Sequence, residues 1–346
     1  HSVLHTPQPL AAVAAELGLA ESDADKALAR TRERLRKARA KRAAPGLDDK
    51  LLAGWNGLMI SAFARAARAM PEQRQAYLAV AGRAAEFLIT TMRVDGRLRR
   101  SFAYGRAEID AYLADYAFVI AGLLDLFEAT SARRYLDVAL ELEAVVAKRY
   151  EDSAGGFFRT ADDAEKLLVR DKPVDDGAVP SGNSVHVLNL LRLYELTSEP
   201  SFLDRADRSL RAFASQLEHP TGSSELLLAV DFRSSTPKEI VVVVPNAGSN
   251  QLKDVLGQSF VPNHVFVEVA EGEELERMRQ RVPLVANKVA VKGRPSADVC
   301  EKLGIPFEWT QRCEDSAHVG HDDTHDALAN RIDKLLGEGS GGKRPL

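Results

Sequence analysis

Three aspartates stand at corresponding points of the chain, each in a polar loop that precedes an apolar run. They are Asp49, Asp115 and Asp176. Glycoside hydrolysis uses two carboxyl groups that flank one bond, one as the acid and the other as base or nucleophile. The three aspartates are therefore the candidate catalytic residues. The competing interpretation is structural, because an aspartate at a helix start is stabilised by the free N–H groups and the dipole of the first turn.

A sugar site also needs an aromatic platform and side chains that hydrogen-bond hydroxyl groups. Residues of these types accompany the aspartates, and the candidate substrate-binding residues are Trp55, Asn56, Tyr116, Ser181 and Asn183. An epimerase would instead favour a pair of histidines. His186 is the one histidine between residues 48 and 218, and it lies inside an apolar helix pattern, which is typical of a hydrogen-bonded core residue. This weakens the epimerase interpretation.

The polar loops belong to a unit that occurs three times between residues 48 and 218. In each copy, a loop leads into an apolar helix, and a short turn leads into an amphipathic helix. The apolar helices cover residues 58–64, 118–124 and 185–191, and we expect them to be covered on every side. Buried inner helices that alternate with half-exposed outer helices predict an α/α toroid or a curved α-solenoid. The loops that lead into the inner helices would then meet at one end of a cavity.

Residues 175–184 contain the third of these loops. Ser181 or Asn183 can cap the helix that follows, because a short polar side chain accepts from the free N–H groups of the first turn. A helix N-terminus also favours an oxygen-rich ligand. The stretch is thus either a well-capped turn or a ligand-facing loop.

Several of these motifs resemble the YyaL, or spermatogenesis-associated protein 20, family. The resemblance covers roughly residues 1–300 and is carried by residues 47–50, 54–60, 113–118 and 177–184. It implies a thioredoxin-like domain followed by a helical toroid of the six-hairpin glycosidase type, related in shape to the N-acylglucosamine 2-epimerases. On this resemblance we expect the chain to be the C-terminal portion of such a protein, with a partial toroid and without the thioredoxin-like domain. An incomplete ring would expose apolar surface at its open edge.

Four segments follow from these patterns: a helical lead-in at 1–45, a toroid segment at 46–236, a small α/β unit at 237–300, and a divergent tail at 301–346. In the lead-in, helices are predicted at 11–19 and 24–42, with Ser22 as an N-cap. Its basic run is interpreted as a solvated helix face rather than a phosphate-binding strip. A parallel α/β unit is predicted from strands at 239–244, 264–269 and 288–291, with helices at 251–256 and 273–280. The loop after the first strand is a weak phosphate-site candidate.

The tail is rich in potential metal ligands, but their spacing matches no standard zinc site, and no metal or other cofactor is predicted. The residues concerned are Cys313, His318, His321, His325, Asp322, Asp323 and Asp326. His321 and Asp326 resemble the closing pair of RNase-H-like exonucleases, whose other acidic motifs are not evident. A nuclease remnant is therefore a low-ranking alternative, and residues 337–346 are predicted to be disordered.

Composition excludes several classes of function. The net charge of −4 over 346 residues offers no basic field for nucleic acid, and no apolar run approaches membrane-spanning length. Two cysteines give no disulfide framework, so a reducing compartment, the cytoplasm, is expected. The sequence predicts a protein that binds or processes a carbohydrate or another small polar ligand in a helical cavity. The alternative is a non-catalytic interaction or regulatory module that partners a thioredoxin-like domain.

Overall fold

A computed structural model describes residues 5, 7–166, 168–218, 220–245, 251–290 and 296–301. The chain divides into two compact units, residues 1–49 and 50–346. The first unit contains α1 (Leu10–Glu16) and α2 (Glu21–Ala40). Ala20, without a capping side chain, precedes α2, so the prediction of Ser22 as the N-cap is wrong. Glu21 and Asp23 lie in the first turn of α2 instead, where their negative charges interact favourably with the helix dipole.

The second unit is built mainly from pairs of helices. It opens with the short strand β1 (Leu51–Leu52). The first helix pair is α3 (Ala53–Ala69) with α4 (Arg74–Thr90), and it is followed by strands β2 (Arg93–Val94), β3 (Arg97–Ala103) and β4 (Arg106–Asp110). The later helices are α5 (Leu113–Thr130), α6 (Arg133–Arg149), α7 (Gly182–Thr197), α8 (Pro200–Ala212) and α9 (Ser224–Ser234).

The inner helices α3, α5 and α7 lie side by side and run in the same direction. Near their starts, α3 and α5 are joined by Gly54 and Asp115, and near their ends they are joined by Arg68 and Glu128, so the two helices are parallel. The same holds for α5 and α7, because the start of α7 touches Ala114 and Arg192 reaches Glu128. The three inner helices therefore begin at one common edge.

Glycine residues allow the backbones of neighbouring inner helices to come into direct contact. A Cβ atom at Gly122 would lie 2.5 Å from the carbonyl oxygen of Gly57. A Cβ atom at Gly182 would lie 2.9 Å from the Cα of Ala114. Real Cβ atoms do not tolerate such distances, so both positions require glycine for steric reasons.

The inner helices differ in how many of their residues are buried. α5 buries fifteen of its 18 residues and α7 buries thirteen of its 16, as expected for helices covered on every side. α3 buries only six of its 17 residues, so the expectation of complete cover is wrong for this helix. The outer helices α6 and α8 are amphipathic, with one buried face and one charged face. The layered, mainly α architecture predicted from the sequence is confirmed.

The links between the helix pairs differ in structure. In the first link, β3 pairs antiparallel with β1, β2 and β4. In the second link, at residues 152–158, a β-bridge pairs Glu151 with Phe157, and the N–H of Asp152 donates to the carbonyl oxygen of Gly156 at 3.0 Å.

A small α/β unit follows the helices. It contains β5 (Lys238–Val244), α10 (Gln251–Gln258), β6 (His264–Ala270), α11 (Glu273–Arg279) and β7 (Ser296–Glu301). The strand order is β6-β5-β7, with β6 parallel and β7 antiparallel to β5. The strand predicted at 288–291 is wrong, since residues 288–290 form no strand and the N–H of Ala290 donates to the Glu271 side chain instead. The third strand lies later in the chain and runs antiparallel.

Some predicted features lie outside the described residues. They include the loop after β5 at residues 246–250 and the Cys- and His-rich tail beyond residue 301. Within the described ranges, no three or more His, Cys, Asp and Glu side chains are grouped so as to hold a metal ion. None of the helices described is both long enough and apolar enough to cross a bilayer.

Candidate functional site: the edge where the inner helices begin

Asp115 ties the starts of α3 and α5 together. Its Oδ2 accepts from the backbone N–H of Tyr112 at 2.9 Å and from Nη1 of Arg100 at 2.9 Å, and its Oδ1 accepts from the N–H of Gly54 at 3.3 Å. Burial raises the pKa of Asp115, although these donors favour the charged form. The carboxylate thus holds two helix starts and strand β3 in one arrangement.

Two exposed aromatic residues lie at or next to the backbone N–H groups that donate to this buried carboxylate. Trp55, which follows Gly54, is 63% exposed, and Tyr112 is 37% exposed. The Arg100 guanidinium stacks on the Tyr112 ring, 4.7 Å from its centroid, while it also pairs with Asp115. Aromatic faces beside an anchored arginine provide a surface on which a sugar ring can stack. Sequence reasoning predicted Trp55 but missed Tyr112 and Arg100, whose only signal is that Tyr112 directly precedes an apolar helix.

Asp176 holds the starts of α7 and α9. Its Oδ1 accepts from the N–H of Ser181 and its Oδ2 from the N–H of Glu225, both at 2.9 Å. Ser181 is the N-cap of α7, since its Oγ accepts from the N–H of Ser184 at 3.0 Å. Of the two N-cap candidates in this stretch, Ser181 is confirmed. The Asp176 carboxylate therefore satisfies free N–H groups at the starts of two helices.

A groove lies beside Asp176 and brings a second carboxyl group to it. Asp176 and Glu225 line the groove, together with Val179, Pro180 and Leu228. Burial raises the pKa of Glu225, and the charge of Asp176 raises it further. A raised pKa makes a carboxyl group easier to protonate, and a neighbouring carboxylate is able to accept a proton. Glu225 was missed because it lies beyond the three repeated units on which the candidate list was built.

The other predicted site residues are placed differently. Tyr116 is buried, and its hydroxyl oxygen accepts from the N–H of Leu98 at 2.9 Å. Asn183 is also buried, and its amide accepts from Phe157 and donates to the carbonyl oxygens of Phe157 and Pro173. Asn56 donates to the carbonyl oxygen of Leu52 at 2.9 Å. In this structure these side chains hold the backbone in place, and their substrate-binding role stays a prediction.

The predicted catalytic aspartates of the second unit, Asp115 and Asp176, each have their own set of contacts. Among the described residues, Asp115 and Asp176 have no hydrogen-bond partner in common. Asp49 lies exposed in the first unit, and its catalytic role stays a prediction. Asp176 and Glu225 are two carboxyl groups that line the same groove.

His186 is a core residue, but it is not hydrogen-bonded. The side chain is fully buried, and neither ring nitrogen has a partner within the described part of the chain. Its ring meets Phe157 edge-on, with the centroids 4.5 Å apart. Burial, reinforced by the charge of Arg205, lowers the pKa of His186 to about 3. The imidazole is therefore neutral at physiological pH.

A buried ionic network fixes the inner helices further along their length. One amino group of Arg192 on α7 donates to Asp125 and to Glu128 of α5, at 2.8 Å in each case. Arg65 and Arg68 of α3 reach the same two carboxylates. Burial opposes ionisation of Asp125, but Arg192 and Arg65 outweigh it and hold the pKa at about 2. Sequence periodicity did not reveal this network, because it cannot show which charges pair between helices.

The network also contacts the α/β unit. Nη2 of Arg68 lies 3.0 Å from Nε2 of His264, and Nδ1 of His264 lies 2.7 Å from the carbonyl oxygen of Val261. Because Val261 offers only an acceptor and Arg68 only a donor, the proton of His264 resides on Nδ1. Burial lowers the pKa of His264, which keeps this neutral tautomer.

The layered helices and their polar starts define a protein of the α/α-hairpin class that carries a small α/β unit. Comparison with known proteins then gives a family. The chain is homologous to spermatogenesis-associated protein 20, and the resemblance predicted from the motifs is confirmed. It is 34% identical to the rat protein over 333 residues, which is 90% of this chain and 41% of the rat protein. The human protein is 33% identical over 82% of this chain and 37% of its own length. The chain thus spans about two fifths of the length of the curated relatives it matches. No family model matches the chain.

Among solved structures, the neighbours include carbohydrate-active enzymes at low similarity. A GH76 α-mannanase from Bacteroides thetaiotaomicron is 17% identical, covers 51% of this chain and 47% of its own, and has a TM-score of 0.41. A cellobiose 2-epimerase from Spirochaeta thermophila is 17% identical, covers 47% of this chain and 43% of its own, and has a TM-score of 0.39. At these scores neither neighbour defines what this chain binds or does.

Proposed function

We propose that this chain binds a carbohydrate at the edge where α3, α5, α7 and α9 begin. The observation that carries the proposal is a pair of exposed aromatic residues, Trp55 and Tyr112, at the two helix starts that Asp115 joins, with Arg100 stacked on Tyr112. An aromatic ring stacks on the apolar face of a sugar, while charged and amide groups bind its hydroxyl groups. Hydrogen bonds fix the helix starts where both aromatic residues lie, so little conformational entropy is lost when a sugar binds.

We further propose that Glu225 and Asp176 act on the bound sugar. Glu225 would donate a proton to the leaving oxygen, and Asp176 would serve as the base or nucleophile. Support comes from the groove that both residues line and from the raised pKa of Glu225. The backbone N–H groups of Ser181 and Glu225 donate to the two oxygens of Asp176 and hold its carboxylate in position.

Binding is tested by titrating the chain with a panel of neutral oligosaccharides in a calorimeter. We expect Trp55→Ala and Tyr112→Ala each to weaken the binding at least about tenfold, since a stacked aromatic contact contributes about 0.5–1.5 kcal/mol beyond its buried area. Tyr104→Ala is the matched control, because Tyr104 is 93% exposed in the turn between β3 and β4. An absence of carbohydrate binding, or an equal loss in the Tyr104 variant, would contradict the proposal.

Processing is tested separately on any oligosaccharide that binds. We expect Glu225→Gln to abolish the release of reducing ends while sugar affinity is kept, because the amide cannot supply the proton. The control is Asp204→Asn, an exposed acid on α8. Binding without turnover in the unmodified chain would leave the binding proposal standing and remove the catalytic one.

The second candidate function is a non-catalytic module that docks a thioredoxin-like domain. The uncovered apolar residues of α3 favour it, and Met59 on this helix is 52% exposed. A chain that binds no sugar but captures the purified thioredoxin-like domain of a longer relative would support this alternative.

A further inference from the structure

His264 lies where the α/β unit meets the inner helices. It is the first residue of β6 and is half-buried. Its Nε2 accepts from Nη2 of Arg68 on α3 at 3.0 Å, and its Nδ1 donates to the carbonyl oxygen of Val261 at 2.7 Å. One ring nitrogen therefore binds the helical layer, while the other binds within the α/β unit. We call the hydrogen bond from Arg68 to His264 the α3–β6 latch.

Arg68 joins these two parts of the second unit. Its Nη1 donates to Glu128 of α5 at 2.7 Å, and its guanidinium lies 5.2 Å from the centroid of the Phe266 ring on β6. The backbone of Arg68 also touches α10, because a Cβ atom at Gly257 would lie 2.2 Å from the Arg68 carbonyl oxygen. Only 16% of the Arg68 side chain is exposed, so its charge has little access to water. A change at His264 therefore acts on the contact between α3 and the α/β unit.

The charges around His264 oppose a second proton on its ring. Two cations come from inner helices, Arg68 of α3 and Arg192 of α7, and Lys238 of β5 is the register partner of His264. Glu128 of α5 is the acid that faces this group. One of its carboxylate oxygens is bound by Arg68 and the other by Arg192. The acid is thus shared by two cations before the ring takes up a proton.

Other acidic side chains on the surrounding elements have partners of their own. These pairs are Asp231 of α9 with Asn263, Asp254 of α10 with Arg74, Glu268 of β6 with Lys253, and Glu273 and Glu276 of α11 with Arg277 and Arg279. A proton on Nε2 of His264 would therefore bring a donor and a positive charge against the guanidinium of Arg68.

We propose that the α3–β6 latch is a pH-sensitive switch that holds the α/β unit on the helical layer. With a neutral ring, Nε2 accepts from Arg68 and the latch is closed. A proton taken up at Nε2 turns this acceptor into a donor, so two N–H groups and two positive charges face each other and the latch opens.

The direction of the switch follows from proton linkage. Burial lowers the pKa of His264 in the closed state, whereas a released ring in water binds a proton more readily. A fall in pH below the ordinary histidine range therefore favours the open state. The latch involves no residue of the proposed sugar site.

Hydrogen–deuterium exchange of the complete chain tests the latch, with His264→Gln as the matched variant. The glutamine amide keeps an acceptor for Arg68 and does not titrate. At pH 7.5 we expect α10 and β6 to exchange equally in the two proteins. At pH 4.5 we expect these elements to exchange at least threefold faster in the unmodified chain, and α5 and α7 to differ by a smaller factor. Equal rates at pH 4.5, or one common factor for all four elements, would overturn the proposal.

A second variant keeps the test decisive if His264→Gln alters the local packing. Arg68→Gln removes the cation, and its amide can donate to a neutral ring or accept from a protonated one. We expect the exchange of α10 and β6 in this variant, relative to that of α5 and α7, to be the same at both pH values. An acid-dependent acceleration that persists in Arg68→Gln would mean that another group titrates, and the proposal would fail.

Discussion

Gly122 and Gly57 meet at the contact between α5 and α3. A Cβ atom at Gly122 would lie 2.5 Å from the carbonyl oxygen of Gly57, so the two helices approach as closely as their backbones allow. This contact lies about two and a half turns after the start of α5 and helps to fix the start of α3, where Trp55 lies, relative to Asp115. The proposed site therefore depends on a glycine pair that takes no part in its chemistry.

Replacing Gly122 by alanine tests that dependence. We expect Gly122→Ala to lower the free energy of unfolding by about 1–3 kcal/mol, because the helices must separate to admit the methyl group. Gly82→Ala is the matched control within α4, where the new Cβ would meet only the Tyr135 hydroxyl at 3.6 Å. The control should gain about 0.5–1 kcal/mol from its better helix propensity. Urea denaturation measures both, and a similar effect of the two changes would contradict the close-contact interpretation.

The buried network offers a second prediction. We expect Arg192→Met to destabilise the fold by about 1–3 kcal/mol, since Asp125 and Glu128 each lose a buried charged donor but keep their ion pairs with Arg65 and Arg68. The control is Arg277→Ala, which removes an exposed pair with Glu273 and should cost at most about 1 kcal/mol. Thermal and urea unfolding of both variants provide the measurement. A loss below about 1 kcal/mol for Arg192→Met would mean that the network contributes little.

His186 predicts a specific pH dependence. Its pKa is about 3 in the folded chain, against about 6.5 when unfolded, so between these values the unfolded state binds the extra proton. The free energy of unfolding therefore keeps its full value above pH 6.5. It falls as the pH falls toward 3, by up to about 1.4 kcal/mol per pH unit. His186→Leu removes this contribution, so we expect its stability relative to the unmodified chain to rise by about 2 kcal/mol between pH 7 and pH 5.

Urea unfolding of both proteins at each pH measures this difference. Burial also lowers the pKa of His264, but that residue is present in both proteins and cancels from the comparison. At pH 7 the leucine variant should be at least as stable, because the two buried ring nitrogens, which have no partner among the residues the structure describes, cost free energy. A difference that does not change with pH would show that His186 is solvated in the folded chain.

Asp176 gives a fourth prediction, which separates its structural role from its proposed chemistry. We expect Asp176→Ala to destabilise the fold by about 1–4 kcal/mol, since the helix starts at Ser181 and Glu225 each lose a hydrogen-bond acceptor. Asp176→Asn keeps one acceptor oxygen and should cost less. Asp204→Ala is the surface control. If Asp176→Asn retained full stability but lost activity on sugar, the carboxylate would have a chemical role beyond capping.

Much of the fold follows from the sequence because hydrophobic periodicity is a local property. The apolar runs at 118–124 and 185–191 predict buried inner helices, and the β-branched run at 239–244 predicts the central strand of the α/β unit. The Ser181 cap also follows from residue type and position, since one short side chain satisfies its own helix start. These features depend on contacts within a few residues, and the sequence determines them directly.

The tertiary structure decided which polar groups meet. Glu225 joins Asp176 because two helix starts far apart in sequence share one carboxylate, and no repeat pattern marks that relationship. Tyr116 and Asn183 are residue types that suit a sugar site. In the folded chain, however, both side chains are buried and form their hydrogen bonds with backbone groups. The exposed side of α3, which includes Met59 and Ala62, likewise belongs to a helix that the sequence places among the apolar inner helices. Only the position of this helix at the end of the layer leaves it uncovered, because burial depends on what lies beside a residue in space.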